Sequence, residues 1–459
     1  MKKFIVQKFG GTSVGFVDRL GSLKQIVQKF SEEYTPIVVV SAVSGISKQE
    51  GTTSLLLGAI DKACRSEDFD ENIKSIRAQH LKLVELLPSD AKDRFANILE
   101  VELQSLVSFL SALSIIKEQS SKSLDFILSF GERLSALLVT EILKTTGLVV
   151  KFCDLSNILS DDVLDESENF YDSVSDLIVK KISPVENEIS VVTGFFGYVN
   201  SGILNKVGRG YSDLTSALIA RGLGPDLVHE LQIWKEVDGV YSADPRKIPS
   251  AKVLNEISAK EAVELTFFGS EVIHPHTMEQ VISKNIPIRV LNSLKPDLMG
   301  TIIRRDVREV KNSPIAVTSK KKVIVLSVVS NRMYDANGFL AQLFEILREE
   351  GLVVDLVSTS EVTVSCTVND IAKLNRAYPK LSRLGEIRIL ENRAILAVVG
   401  TSLSQGNDSV SKMFAALSAA KIYPEMVTQA ESMTSISFVV EESVIETALV
   451  EVHGALFAG

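Results

Sequence analysis

The sequence predicts an α/β domain on a mainly parallel sheet, followed by two smaller α+β units. Two observations carry this. Strand-like apolar runs and amphipathic helical stretches alternate through about the first 300 residues, the order that builds parallel sheets. Beyond a charged, proline-ended stretch, Arg304 to Pro314, an internal repeat recurs at an offset of 70 residues. A chain of 459 residues is also too long for a single core.

The first strand is the apolar run Phe4, Ile5, Val6, and Leu20, Leu23, Ile26, Val27 and Phe30 follow at helical spacing. Between them lies KFGGTSVG, Lys8 to Gly15. A glycine-rich strand-to-helix turn lets backbone N–H groups converge on phosphate. It lacks the G-K-[ST] of the Walker pattern, and a lone Gly-Gly by itself reads better as a structural turn, so the phosphate reading needs support from elsewhere in the chain. Ile37 to Val40 is the next strand, ending at Ser41. Residues 60–122 contain no glycine, and Leu99, Leu103, Leu106, Val107 and Leu110 share one face, which predicts a helical insertion. Further strands are expected at Asp125–Leu128, before Ser129–Glu132 (SFGE), at Ile189–Val192, before TGFFG, and at Leu231–Trp234. Lys8, Ser41, Glu132 and the residues after Thr193 then gather beyond the carboxyl ends of the strands, where such sheets bind ligands.

In the repeat, Val325–Val329 matches Ile395–Val399. Leu343, Phe344 and Leu347 match Met413, Phe414 and Leu417, and Val357 and Glu361 match Val427 and Glu431. Each unit reads strand, helix, strand, strand, helix. The first closes with Glu386–Leu390. The second takes its missing strand from Pro314–Thr318, so the first is inserted within it. The expected boundaries are a first domain 1–303, a linker 304–313 and a repeat region 314–459, with a first unit 323–390 inside a second made of 314–319 and 394–459.

Composition narrows the function. The chain is 45% apolar and 23% charged with net charge −9, which argues against a general nucleic-acid or anionic-membrane binder. Cys64, Cys153 and Cys366 have no ligand spacing and suit a reducing compartment. His274-Pro275-His276 reads as a proline-held turn rather than a metal site. The apolar run after Met1-Lys2-Lys3 is too short for a signal peptide, and no stretch approaches about 18 uninterrupted apolar residues. The expectation is a cytoplasmic protein with no membrane or nucleic-acid partner.

A second glycine-rich element, Lys206–Leu218 (KVGRGYSDLTSAL), offers Ser212 as cap of a helix over Leu214–Ala220. Arg209 there suits a carboxylate, and Asp213 suits Lys8. In Trp234–Arg246 (WKEVDGVYSADPR), Tyr241 could pack on a base and Arg246 face a phosphate. Together these suggest phosphoryl transfer to a carboxylate, an acceptor that needs positioning and cations but no general base.

Five stretches together resemble aspartate kinase: KFGGTSV from Lys8, VSA from Val40, SFGE from Ser129, GRGYSD from Gly208 and GVYSADPR from Gly239. Phe268-Gly269 and His274-Pro275 extend the resemblance nearly end to end. Gly338-Phe339-Leu340, Val354-Asp355-Leu356 and TSEV from Thr359 look like an ACT domain of the monofunctional, lysine-sensitive type. The resemblance implies an amino-acid-kinase fold with a mainly parallel central sheet and two ACT (βαββαβ) units. It implies ATP plus L-aspartate giving ADP plus 4-phospho-L-aspartate with Mg²⁺, and a homodimer or higher oligomer joined through the ACT domains. Lys8, Gly10 and Gly11 would meet the ATP phosphates, with Ser41 close by. Lys235, Glu236, Tyr241, Arg246, Glu271 and Val272 would line the nucleotide. Glu132, Arg209, Ser212 and Asp213 would serve aspartate and the organisation of the site. Met333, Phe339, Leu340, Asp355, Ser360 and Glu361 match the effector pocket, where Asp355 and Glu361 would face a cationic lysine.

The chain departs from the family pattern in three places. Where the family has T-N-L-L, either Ser47 or Thr53 supplies the substrate hydroxyl. W-T-D-V is here WKEV, Trp234 to Val237, and F-G-A-K-V is FGSEV, so Glu271 replaces a nucleotide-side lysine. The other readings are a kinase of a related acid such as glutamate, and a catalytically weak amino-acid sensor. Lysine, threonine or both remain open as effectors. Lys235 is our candidate for the displaced cation. Lys235→Ala should raise the KM for ATP or lower kcat substantially, and wild-type kinetics in that variant would refute the assignment.

Overall fold

Phe4–Phe9 form β1, buried along its whole length at the centre of the first sheet. The computed structural model describes residues 2–159, 170–197, 210–270, 273–307, 314–330, 338–401, 403, 408–429 and 434–457. Contacts divide the chain into two units. One is Met1–Val240 with Asn255–Ala259 and Ile273–Asp306. The other is Tyr241–Leu254, Lys260–Val272 and Val307–Gly459.

In the first unit β1 is joined by β2 (Thr35–Val40), β3 (Val150–Cys153), β4 (Ile189–Thr193), β5 (Val228–Lys235), β6 (Glu256–Ser258), β7 (Ile288–Asn292) and β8 (Thr301–Arg304). Their order is β3-β4-β2-β1-β5-β7-β8-β6, and only the β7–β8 pairing is antiparallel. The chain builds one side of β1 through β2, β3 and β4, then crosses to β5 on the other side. That reversal leaves a crevice beyond the carboxyl ends of β2, β1 and β5, where open α/β sheets bind ligands.

The expected strand Asp125–Leu128 is instead part of one helix, Ser121–Lys144. Ser120 caps it, its Oγ accepting from the Ser123 N–H at 3.1 Å. A continuous apolar run is the signature of burial on several faces, and burial alone does not separate a strand from a buried helix. Residues 127–132 are all buried here. The helical region therefore extends beyond residues 60–122, through Thr52–Cys64, Asp70–Leu83, Ser89–Ile116 and Ser121–Lys144. Ser89–Ile116 is long and apolar enough by length and composition to cross a membrane. Its stripe of Phe95, Leu99, Leu103, Leu106, Leu110 and Leu113 is instead buried in the core of this unit. The segment taken as a linker from Arg304 begins within β8, where Arg304 pairs with Glu256 at 3.0 Å. Residues 308–313 lie outside the described residues. Pro275 is not in a simple turn; it opens the helix Pro275–Ile282, where its missing N–H costs nothing.

The second unit is a six-stranded antiparallel sheet of β9 (Ala316–Val329), β10 (Val357–Thr359), β11 (Thr363–Val368), β12 (Glu386–Val399), β13 (Met426–Gln429) and β14 (Ser435–Glu441), ordered β10-β11-β9-β12-β14-β13. The long strands β9 and β12 pair from Ala316↔Val399 to Val329↔Glu386, with an irregular register near Leu390–Ile395. Each long strand therefore serves both repeats. The helices Phe339–Glu349 and Ser409–Ala419 stand at the offset of the repeat, burying Leu343 and Leu347 in one core and Met413 and Leu417 in the other. Segments 241–254 and 260–272, read from sequence as catalytic domain, belong to this unit. Ala243 and Ile248 share a core with Val317, Leu396 and Val452, and Phe268 packs with Val323 and Val325.

In the first unit, a Cβ added at Gly131 would lie 2.8 Å from the Ala42 Cβ. Gly131→Ala gains about 1 kcal/mol of helix propensity, but the overpacking costs about 1–3 kcal/mol. Denaturant unfolding should show a net loss of stability, and a gain would mean that the Ala42 segment yields freely.

Candidate active site

Four strand ends place the polar groups. Lys8, next to last in β1, is buried, and its Nζ lies 2.7 Å from Asp213 Oδ1. Asp213 sits in the first turn of the helix Tyr211–Leu223, which starts after Gly210 at φ +103°. Ser212 is therefore inside the helix and is not its cap. The left-handed glycine begins the helix earlier than the side-chain pattern suggested. The Ser212 Oγ meets the Ser41 Oγ at 2.8 Å, at the end of β2. Gly194, just past β4, permits this approach: a Cβ there would lie 2.6 Å from the Ser212 Cβ and 2.7 Å from the Val40 carbonyl oxygen.

The Gly10-Gly11 turn is held against the chain after β2. Ser41 N–H donates to the Phe9 carbonyl at 3.2 Å and Ser44 N–H to the Gly11 carbonyl at 3.1 Å. A Cβ at Gly11 would fall 2.6 Å from the Ala42 carbonyl oxygen, so only glycine fits.

Glu132 reaches the same region from the helix Ser121–Lys144 and is only 2% exposed. Its Oε1 accepts from the Tyr211 hydroxyl at 2.7 Å and the Ala42 N–H at 3.3 Å. Its Oε2 is buried with no hydrogen-bond partner among the described residues. Burial pushes this carboxyl up to about 7, against the opposing pull of the Tyr211 and Ala42 donors and of Lys8. Burial, and next the Glu132 charge, raise the Tyr211 phenol well above its ordinary value. Nearby, burial and His276 hold His274 below the usual histidine value, while Asp213 pulls the other way.

Lys235 ends β5 beside β1, and its carbonyl accepts from the Ser293 N–H at 2.8 Å and Oγ at 3.0 Å. Ser293 Oγ in turn meets Ser13 Oγ at 3.3 Å. Glu236 forms an ion pair with Arg19, whose Nη1 also donates to the Thr12 carbonyl at 3.1 Å. Ser47 is exposed and caps the turn Lys48–Glu50, its N–H donating to Glu50 Oε2 at 3.3 Å. Thr53 lies in the first turn of the helix Thr52–Cys64.

The structure thus gathers Lys8, Gly10, Gly11, Ser41, Glu132, Ser212 and Asp213, with Lys235 at the end of the adjoining strand and Glu236 just past it. Arg209, Glu271, Val272 and Met333 lie outside the described residues. Tyr241 and Arg246 belong to the second unit, where Tyr241 bridges to Val253 and exposed Arg246 pairs with Asp244 at 2.9 Å. That unit also carries Phe339, at the start of its helix, and exposed Leu340, Ser360 and Glu361. Asp355 there is buried and holds Lys320 Nζ at 2.7 Å. Sequence reasoning missed Tyr211 and Arg19. The first stands inside a motif already singled out, between Gly210 and Ser212, but its partner is a distant helix.

This is the fold and strand-end site of an amino acid kinase. Residues 3–292 match the amino acid kinase family, and residues 326–380 and 396–456 match an ACT domain. The aspartokinase of Saccharomyces cerevisiae is 38% identical, across 99% of this chain and 93% of its own, and that of Schizosaccharomyces pombe is 37% identical over the same shares. The chain belongs to the aspartokinase family. Escherichia coli aspartokinase III, solved in complex with lysine and aspartate, is 27% identical with a TM-score of 0.75 and covers 99% of both chains. Its complex with aspartate and ADP gives 0.77 over 99% of this chain and all of that one.

Breaking a buried ion pair strands a charge. Asp213→Asn should cost on the order of 3 kcal/mol, read by denaturant unfolding, and Lys8→Met in the same chain should return much of it. A stability unchanged by Asp213→Asn would show that Lys8 is balanced by another group.

Proposed function

We propose that this protein transfers the γ-phosphoryl group of ATP to the β-carboxylate of L-aspartate, giving ADP and 4-phospho-L-aspartate. The observation that carries the residue roles is the buried Glu132 Oε2, with no hydrogen-bond partner among the described residues, beside a lysine at a glycine turn. An acceptor oxygen of that kind suits a substrate ammonium group.

A substrate carboxylate is ionised at neutral pH, so no base is needed to activate it. One of its oxygens forms a bond to the γ-phosphorus as the bond to the bridging oxygen of ADP breaks, and that oxygen leaves with the electron pair. Lys8 and the backbone of Gly10 and Gly11 offset the charge spread over the phosphoryl oxygens. Asp213 holds Lys8 in place, and Ser41 and Ser212 fix the loop between them. Glu132 takes the α-ammonium, and Arg209 takes the α-carboxylate by its motif position. Mg²⁺ supplies further charge neutralisation when it enters with ATP. Among the described residues no three His, Cys, Asp or Glu side chains gather around one point.

The ACT pair supports lysine as an effector, as does the lysine complex of the E. coli relative. Asp355 already holds Lys320, which also lies 5.2 Å from the Phe267 ring centroid. An effector ammonium at Asp355 would take the place of Lys320. Val357 and Val427, equivalent in the repeats, are both exposed, as self-association through the ACT units would require.

ADP release with Mg-ATP and L-aspartate, with and without L-lysine and with L-glutamate as control acceptor, tests this. Aspartate-dependent turnover suppressed by lysine is expected. Equal use of glutamate would redefine the acceptor, and no turnover while lysine still binds would favour an amino-acid sensor.

A further inference from the structure

We propose that Tyr211 is a positioning residue that aims the Glu132 carboxylate at the substrate ammonium. The inference rests on the reading of Glu132 as the ammonium-binding group. A glutamate side chain has a freely turning terminal torsion, and either oxygen can face the ligand. Here Oε1 is held from two sides, by the Tyr211 hydroxyl at 2.7 Å and the Ala42 N–H at 3.3 Å. Oε2 is thereby left as the oxygen with no protein donor among the described residues.

Tyr211 is itself fixed. It is the first residue of its helix, its carbonyl accepts from Thr215 Oγ1 at 2.9 Å, and its ring meets buried Phe195 edge to face at 5.6 Å. Its phenol stays protonated through the working pH range, so toward a carboxylate it can only donate. Among the described residues, the other charged groups around the pair are Lys8 on β1, Asp213 on the helix of Tyr211, and Asp125 on the helix of Glu132. Arg133, the next residue after Glu132, is committed to Glu102 and Asp154 at 2.9 and 2.8 Å. Removing one hydroxyl should therefore loosen Glu132 and make it harder to ionise.

The test is steady-state kinetics across pH on the full chain, comparing wild type, Tyr211→Phe and Glu132→Gln. In the wild type the acid limb of kcat/KM for aspartate should fall near the Glu132 value of about 7. Tyr211→Phe should raise the aspartate KM roughly tenfold and leave the ATP KM unchanged. The acid limb should move up by about one pH unit, so that aspartate affinity returns as pH rises. Should the phenylalanine variant not fold, 3-fluorotyrosine at position 211 keeps the shape and strengthens the donor, and should move the limb down. An unmoved limb in either protein, or a KM rise shared equally by both substrates, overturns the proposal. Normal aspartate affinity in Glu132→Gln removes the reading beneath it, and the proposal with it.

Discussion

Lys8 leaves water at the end of the central strand, and its ammonium is balanced by an aspartate that arrives much later in the chain. In a poorly solvated setting an unpaired charge is far more costly than a paired one, so the two residues must meet. Much of the first unit serves that meeting. Gly194 lets the helix of Asp213 close on β2, the Ser41–Ser212 contact ties the helix to the strand end, and Gly11 lets the first turn lie against the Ala42 backbone. The ion pair also gives the lysine one fixed position, which is what stabilising a transferring phosphoryl group requires.

Glu132 is in the opposite situation. Its second oxygen is buried with no hydrogen-bond partner among the described residues, and its pKa is raised from 4.5 to about 7 by burial. The sign of the linkage follows. The folded state holds this proton more tightly than the unfolded chain. The stabilisation is complete below the unfolded value and is lost as pH rises through about 7. Ionising this carboxyl therefore costs the folded state stability.

The second unit solves a different problem. A single repeat has too little sheet to bury both its helices, so β9 and β12 run through both units and their two cores lie on shared strands. On the opposite face of the sheet from these cores, Val323, Val325, Ile395 and Ala397, which alternate with the core residues, form a further apolar cluster with Phe268. Through Thr318, whose hydroxyl donates to the Phe268 carbonyl at 3.1 Å, and through Lys320, one strand touches both the 260–272 segment and Asp355. A change at Asp355 therefore has a direct physical route to that segment within the same unit.

The sequence by itself determined the strands β1, β2, β4 and β5 and their mainly parallel pairing, because each is a short apolar run and helical stretches separate them. It also determined the repeat, because the apolar spacing of Leu343 and Leu347 recurs in Met413 and Leu417. Lys8 and Asp213 were legible as chemistry-bearing types at a strand end and a helix start, and Glu132 as a chemistry-bearing type placed after a strand that is in fact helix. Tertiary structure decided the rest. Asp125–Leu128 became helix because a segment buried on every side loses the periodicity that distinguishes the two states. Segments 241–254 and 260–272 joined the second unit because their apolar residues found partners there, a pairing no local pattern encodes. Tyr211 acquired its contact with Glu132 for the same reason. A hydrogen bond between two helices far apart in the chain depends on how both pack, and packing is a property of the whole core rather than of either segment.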